Sequence, residues 1–206
     1  MKFYYAPGAC SMGIHLLLEE AGCSFEAIRL SFAKEEQRSD GFLAVNPKGK
    51  VPVLDAGQDG VITEFPAIAF YVASLDPASR LLPGDTMAQV RALELIDHAI
   101  ATVHMRGFTR LSRPEVFSSD GDPEKVRAAG RTIVGDGLAW MDARLGDAPY
   151  ALGAFSIADA ALFILEWWAR RSGLPLPERL SAHLDRMLDR PAVQRMLATE
   201  GLAAAA

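Results

Sequence analysis

The first eighty residues alternate between strand-like and helix-like spacing of their apolar positions. Lys2-Phe3-Tyr4-Tyr5 is a short aromatic strand, cut off by Pro7-Gly8. Ile14, Leu17, Leu18 and Ala21 then recur at helical spacing until Gly22 stops the run. From Phe25 to Leu30 the pattern becomes alternation, with Phe25, Ala27 and Leu30 set against Glu26 and Arg29. A charged segment from Ala33 to Ser39 leads into a short helix and then Asn46-Pro47-Lys48-Gly49. Val51-Pro52-Val53-Leu54 and Val61-Ile62-Thr63 follow as two strands joined by a turn over Asp55 to Gly60. Pro66 suits the first turn of a helix running to Leu75, which Asp76-Pro77 ends. The predicted order is βαβαββα.

From Met87 onward every segment has helical spacing. Leu93, Ile96, Ile100, Val103 and Phe108 share one face, and Pro114 closes that segment. Asp122-Pro123 opens a helix to about Leu145 that must tolerate Gly130, Gly135 and Gly137. Ser156 and Asp159 form a capping-box pattern ahead of an apolar helix from Ile157 to Arg171. Shorter helices are expected around Pro177 to Leu188 and Pro191 to Leu197. The change of pattern predicts an α/β domain over 1–77, a linker over 78–86 and an all-helical domain over 87–206. Ala203 to Ala206 are expected to fray.

Charge and cysteine content narrow the function classes. The net charge is −5, with 7 basic and 10 acidic residues in 1–80 and 14 and 16 in 81–206, so neither half offers a basic stripe for nucleic acid. No run approaches the roughly 20 apolar residues of a membrane span, and the opening residues are too short an apolar run for a signal peptide. Cys10 and Cys23 make neither a disulfide framework nor a zinc motif. These features predict a reduced cytoplasmic protein with no metal, no cofactor, no membrane and no nucleic acid among its partners.

Three stretches carry candidate chemistry. Cys10 follows the Pro-Gly turn at the start of the first helix, where unpaired N–H groups favour an anion and predict a depressed thiol pKa. The competing reading of Cys10 is a small buried hydrophobe, and for Cys23, beyond the helix end, that reading wins. Ser11 donates to a thiolate or caps the helix; Tyr5 and His15 are read first as packing and structural residues. Proline after Val51 suits a cis bond or a strand edge, leaving Val51 able to pair with a peptide ligand through its main chain. Glu64 precedes Phe65-Pro66 at a helix start, where an amino-acid head group finds an acceptor for its ammonium and N–H groups for its carboxylate. The plainer reading of Glu64 is a favourable charge on the helix dipole.

Together these stretches, Tyr-x-x-Pro-Gly-x-Cys-Ser, Asn-Pro-Lys-Gly-Lys-Val-Pro-Val-Leu and Thr-Glu-x-x-Ala-Ile, resemble the thioredoxin-like half of the cytosolic glutathione transferases. The bacterial beta class, with its characteristic cysteine, is the nearest match. Val103-His104-Met105-Arg106-Gly107-Phe108 and Phe155-Ser156-Ile157-Ala158-Asp159-Ala160 extend the likeness through the helical half. The resemblance implies that Cys10 faces the glutathione sulfur, that Val51 with a cis Pro52 pairs with the cysteinyl backbone, and that Glu64 and the N–H of Phe65 hold the γ-glutamyl head. It implies further that Lys34 contacts the glycine end, that His104 and Arg106 line the cleft, and that Asp97 reaches glutathione in a partner subunit. One position departs from the pattern: most relatives have a serine where Phe65 stands, and its hydroxyl bonds the γ-glutamyl carboxylate. Losing that bond costs about 1.5–3 kcal/mol if nothing replaces it.

The expected activity is that of a homodimeric glutathione transferase for detoxification. Glutathione is co-substrate, and its thiolate, stabilised by Cys10, Ser11 and the helix N-terminus, attacks a small hydrophobic electrophile or a disulfide. Met12, Phe108, Leu111 and Trp168 are candidates for the apolar wall of the second substrate. Two alternatives remain open at this point: a monothiol transferase in which Cys10 carries glutathione as a mixed disulfide, and a non-catalytic binding or regulatory protein of the same fold.

Overall fold

The computed structural model describes residues 1–75, 80–118 and 121–202. The expected stop at Asp76-Pro77 and the terminal alanines lie outside the described residues. In chain order the main elements are β1 (Lys2–Tyr5), α1 (Ser11–Glu20), β2 (Glu26–Arg29), α2 (Asp40–Val45), β3 (Val53–Asp55), β4 (Val61–Thr63) and α3 (Phe65–Leu75). Then follow α4 (Thr86–Asp97), a π-helical segment (His98–Phe108), α5 (Thr109–Ser112), α6 (Pro123–Leu145), α7 (Ile157–Arg171), α8 (Glu178–Leu188) and α9 (Pro191–Glu200). The chain divides into two compact units, Met1–Gly84 with Met187–Ala206, and Asp85–Arg186. Within the first unit α9 packs on α1.

The first unit has the expected βαβαββα order and is thioredoxin-like. Its sheet runs β2-β1-β3-β4, with β1 parallel to β2 and antiparallel to β3, and β3 antiparallel to β4. Phe3 and Tyr5 alternate with Lys2 and Tyr4, so β1 turns Phe3 and Tyr5 into the core beneath α1 and Tyr4 towards Phe42. At the sheet edge, β2 buries little: Ala27, expected to face inward, is exposed along with Glu26 and Arg29. The bond between Val51 and Pro52 is cis, and β3 begins after it at Val53. At the far end of the unit, Arg190 forks onto Glu20 (2.6 and 2.9 Å) and Arg195 reaches Glu19 at 2.6 Å, tying α9 to α1.

Among its described residues the second unit's elements are helices, with one isolated bridge between Leu152 and Ala154. The face anticipated from Leu93 to Phe108 does not stay α-helical: from His98 to Phe108 the ladder widens to a π-helix. Against it lies α6, and its glycines explain themselves here. A Cβ on Gly137 would collide with Val103, and one on Gly107 would come within 2.7 Å of Val134. Small residues on both sides let the two backbones approach. The start of α7 shows the predicted capping box, with Ser156 and Asp159 each bonding the other's backbone end. Among the described residues, no helix is long and apolar enough to cross a membrane.

Candidate functional site

Cys10 sits at the N-cap of α1, released from β1 by the Pro7-Gly8 turn, in which Gly8 has φ 72. Its Sγ donates to the carbonyl oxygen of Val51 at 3.6 Å. The sulfur and the proposed peptide-pairing residue are thus neighbours, although 41 residues separate them in sequence. Two backbone amides, those of Cys10 and Ser11, favour the thiolate as the helix start predicted. Burial outweighs them: it pushes the Cys10 thiol up to about 12. The expected depression of its pKa is therefore overturned, because desolvating the sulfur costs more than a few N–H dipoles return. In the free protein burial favours the neutral thiol of Cys10, which donates to the Val51 carbonyl.

Ser11 has a different task from the one its position suggested. Its buried hydroxyl donates to the carbonyl of Ala6 and accepts the N–H of Ala6, both at 3.2 Å. That closed pair pins the turn below Cys10, so what Ser11 offers the sulfur is its backbone N–H. Tyr5 and His15 are packing and structural residues, as first read: both are buried, their rings 5.3 Å apart. Met12 is fully buried in the core and drops out as a wall residue.

Glu64 lies at the start of α3, its carbonyl accepting the N–H of Ile68 at 3.0 Å. Its φ of 73 places a non-glycine residue in the left-handed region, a conformation that costs about 1–3 kcal/mol and clusters at functional sites. Glu64 Oε1 accepts a short hydrogen bond from Lys48 Nζ, which also donates to Thr63 Oγ1 at 2.7 Å. Both side chains stay open to solvent, 69% for Glu64 and 45% for Lys48. Phe65 turns the other way and is buried. The sequence singled out Glu64 and Phe65 and passed over Lys48, whose partner lies on the far side of a strand pair.

Lys34 lies exposed in a short 3-10 turn, Phe32–Lys34. The remaining candidates belong to the helical unit. Asp97 is exposed at the end of α4. His104 and Arg106, two residues apart on the π segment, face different ways. His104 packs on Trp168 with ring centroids 4.8 Å apart, and Phe108 joins them at 5.3 Å from Trp168. Arg106 instead lines a cavity of about 280 Å³ with His98, Thr102, Asp136 and Trp140.

Comparison with known proteins matches two family models to successive parts of the chain. The family model of the glutathione S-transferase N-terminal domain matches residues 1–74, and that of the C-terminal domain matches residues 124–195. Glutathione S-transferase GstA of Escherichia coli O157:H7 is 35% identical over 98% of this chain and 100% of its own length. The bacterial beta class glutathione S-transferase of Sphingomonas chungbukensis is similar in structure, with a TM-score of 0.86 and 33% identity over 98% of this chain and 100% of that one. A sphingomonad glutathione S-transferase complexed with glutathione matches with a TM-score of 0.82, 33% identity, and the same coverage of 98% and 100%.

Proposed function

Because the chain belongs to the glutathione S-transferase family, we propose that it binds glutathione beside Cys10 and transfers it to a small hydrophobic electrophile. The observation that carries this reading is the 3.6 Å approach of Cys10 Sγ to the Val51 carbonyl. A tripeptide whose cysteinyl backbone pairs with Val51 has its own sulfur next to Cys10. Glu64 takes the ammonium of the γ-glutamyl head, and the exposed Lys34 takes the glycine carboxylate.

Cys10 acts as a hydrogen-bond donor in this reading. Its thiol, held neutral by burial, donates to the thiolate of glutathione, while the N–H groups of Cys10 and Ser11 add their dipoles. The glutathione S–H proton leaves to water. The thiolate lone pair then forms a carbon–sulfur bond, and the electrophile's leaving group departs with its electron pair. His104, Phe108 and Trp168 form an aromatic cluster within the helical unit. The cytoplasm suits the protein because it keeps Cys10 reduced. A homodimer suits the exposed apolar side chains of Met87 and Val90 on α4. Light scattering then returns twice the chain mass of 22.3 kDa.

The test assays one variant in two reactions, conjugation of a chlorodinitrobenzene and exchange with a small dialkyl disulfide. Cys10→Ala should lower kcat/KM for conjugation by about 10- to 100-fold, the loss of one bond to a charged acceptor, and should move the pH profile upward. If the unaltered protein only exchanges disulfides and Cys10→Ala abolishes that exchange, Cys10 works covalently as a monothiol transferase instead. If calorimetry finds no glutathione binding to the unaltered protein, the enzyme reading falls and the binding-protein alternative takes its place.

A further inference from the structure

The head-group site, as proposed above, has an anion in place for the ligand's ammonium, but beyond the Phe65 N–H no side-chain donor has been assigned to the ligand's own anion. A γ-glutamyl head carries an ammonium and a carboxylate on one carbon. Glu64 answers the first. The side chain that follows Glu64 offers the second no donor, since Phe65 buries its ring in the core. Beside Glu64, however, stands a cation. Lys48 Nζ donates to Glu64 Oε1 and, at 2.7 Å, to Thr63 Oγ1. An ammonium has three N–H bonds, and these contacts use two.

We infer that Lys48 is the specificity-determining residue for the ligand's α-carboxylate. This rests on the assignment of Glu64 to the γ-glutamyl head. Three features support it. Thr63 and Glu64 hold the ammonium in place before any ligand arrives, so little side-chain entropy remains to be lost on binding. The pair is open to solvent and accessible to a ligand. The charges also alternate in the right order: the ligand ammonium finds the second oxygen of Glu64, its carboxylate finds Lys48, and a four-charge ring closes with no like charges adjacent. An ammonium on that carboxylate supplies a charge-assisted bond. The site therefore selects a zwitterionic α-amino acid head over one that lacks either charge.

Calorimetric titration of the full chain distinguishes this from a plain surface ion pair. The ligands are glutathione and 4-aminobutanoyl-cysteinylglycine, which keeps the ammonium but has no α-carboxylate. Lys48→Met should weaken glutathione by about 10- to 100-fold and leave the decarboxylated analogue within about twofold of the unaltered protein. Lys48→Arg, which keeps the charge, should recover most of the loss. If Lys48→Met binds glutathione as well as or better than the unaltered protein, Lys48 merely occupies Glu64 and the inference is overturned. Equal losses for both ligands overturn it too, since Lys48 then acts only by placing Glu64. Failure of the unaltered protein to bind glutathione would instead sink the underlying assignment of the site.

Discussion

His15 of α1 and Glu200 at the end of α9 meet Nδ1 to Oε1 at 2.9 Å, both fully out of solvent, across 185 residues of sequence. The second oxygen of Glu200 accepts the N–H of Gly8, also at 2.9 Å. One carboxylate thus holds the first helix and the turn that delivers Cys10. Glu200→Ala removes the carboxylate partner of the buried His15 ring and one acceptor of the half-buried Gly8 N–H, and breaking such a buried pair costs about 3–5 kcal/mol. Urea unfolding should show that loss, and Glu200→Gln should recover part of it because an amide oxygen still accepts. An alanine variant as stable as the unaltered protein would mean that α9 is held by its apolar face alone.

A second buried cluster predicts how stability changes with pH. His183 Nδ1 lies 2.9 Å from both oxygens of Glu166, and Nε2 lies 3.1 Å from Asp159 Oδ1. Burial alone would lower the His183 pKa, but Glu166 and Asp159 outweigh it and raise it from 6.5 to about 9. The folded state therefore binds this proton more tightly than the unfolded one. The stabilisation is complete below pH 6.5 and is lost as pH rises through 9. Burial pushes Glu166 up as well, which acts in the same direction. Melting temperature should fall across that window, and His183→Gln should flatten the fall. A slope unchanged by His183→Gln would assign the pH dependence elsewhere.

The glycines of α6 make opposite predictions within one helix. Gly135 has open space where a Cβ would go, so Gly135→Ala should gain about 0.5–1 kcal/mol from helix propensity. Gly137 faces Val103 at a distance no Cβ can share, so Gly137→Ala should lose about 1–3 kcal/mol from overpacking. Denaturant midpoints of the two variants should move apart. If both rise, α6 has room to shift away from the π segment.

These residues also mark what was legible along the chain. The βαβαββα order, the capping box and the start of α6 were visible because each rests on local chemistry: period, a cap, or a proline at the first turn. The π segment was not, since a widened ladder leaves no local mark in the pattern of apolar residues. Nor was the pairing of α9 with α1, which rests on arginines and glutamates more than 150 residues apart. Cys10 shows the limit most clearly. Its position at a helix start was readable, but the sign of its pKa shift depends on how much protein surrounds the sulfur. Lys48 escaped notice for the same reason, because Thr63 and Glu64 become its neighbours only through the β3–β4 pairing.

Glu64 offers the sharpest separation of binding from folding. Its φ of 73 is a conformation that glycine adopts freely and glutamate does not. If the strain is kept because the carboxylate must meet a ligand, removing the side chain should relieve it. Glu64→Gly should therefore hold or raise the melting temperature, gaining up to about 1–2 kcal/mol at the left-handed position. The ion pair with Lys48 is exposed, and its loss offsets only about 0–1 kcal/mol of that gain. Glutathione affinity should fall in the same variant by about 10-fold or more, since the ammonium loses its charged acceptor. Glu64→Gln keeps the strain and removes the charge, so it should lose affinity without gaining stability. Measured together by calorimetry and thermal melts, the two variants place Glu64 in the plane of stability against affinity. Loss of stability in Glu64→Gly with affinity intact would make Glu64 a helix-dipole residue, and the head group would have to be held by other side chains.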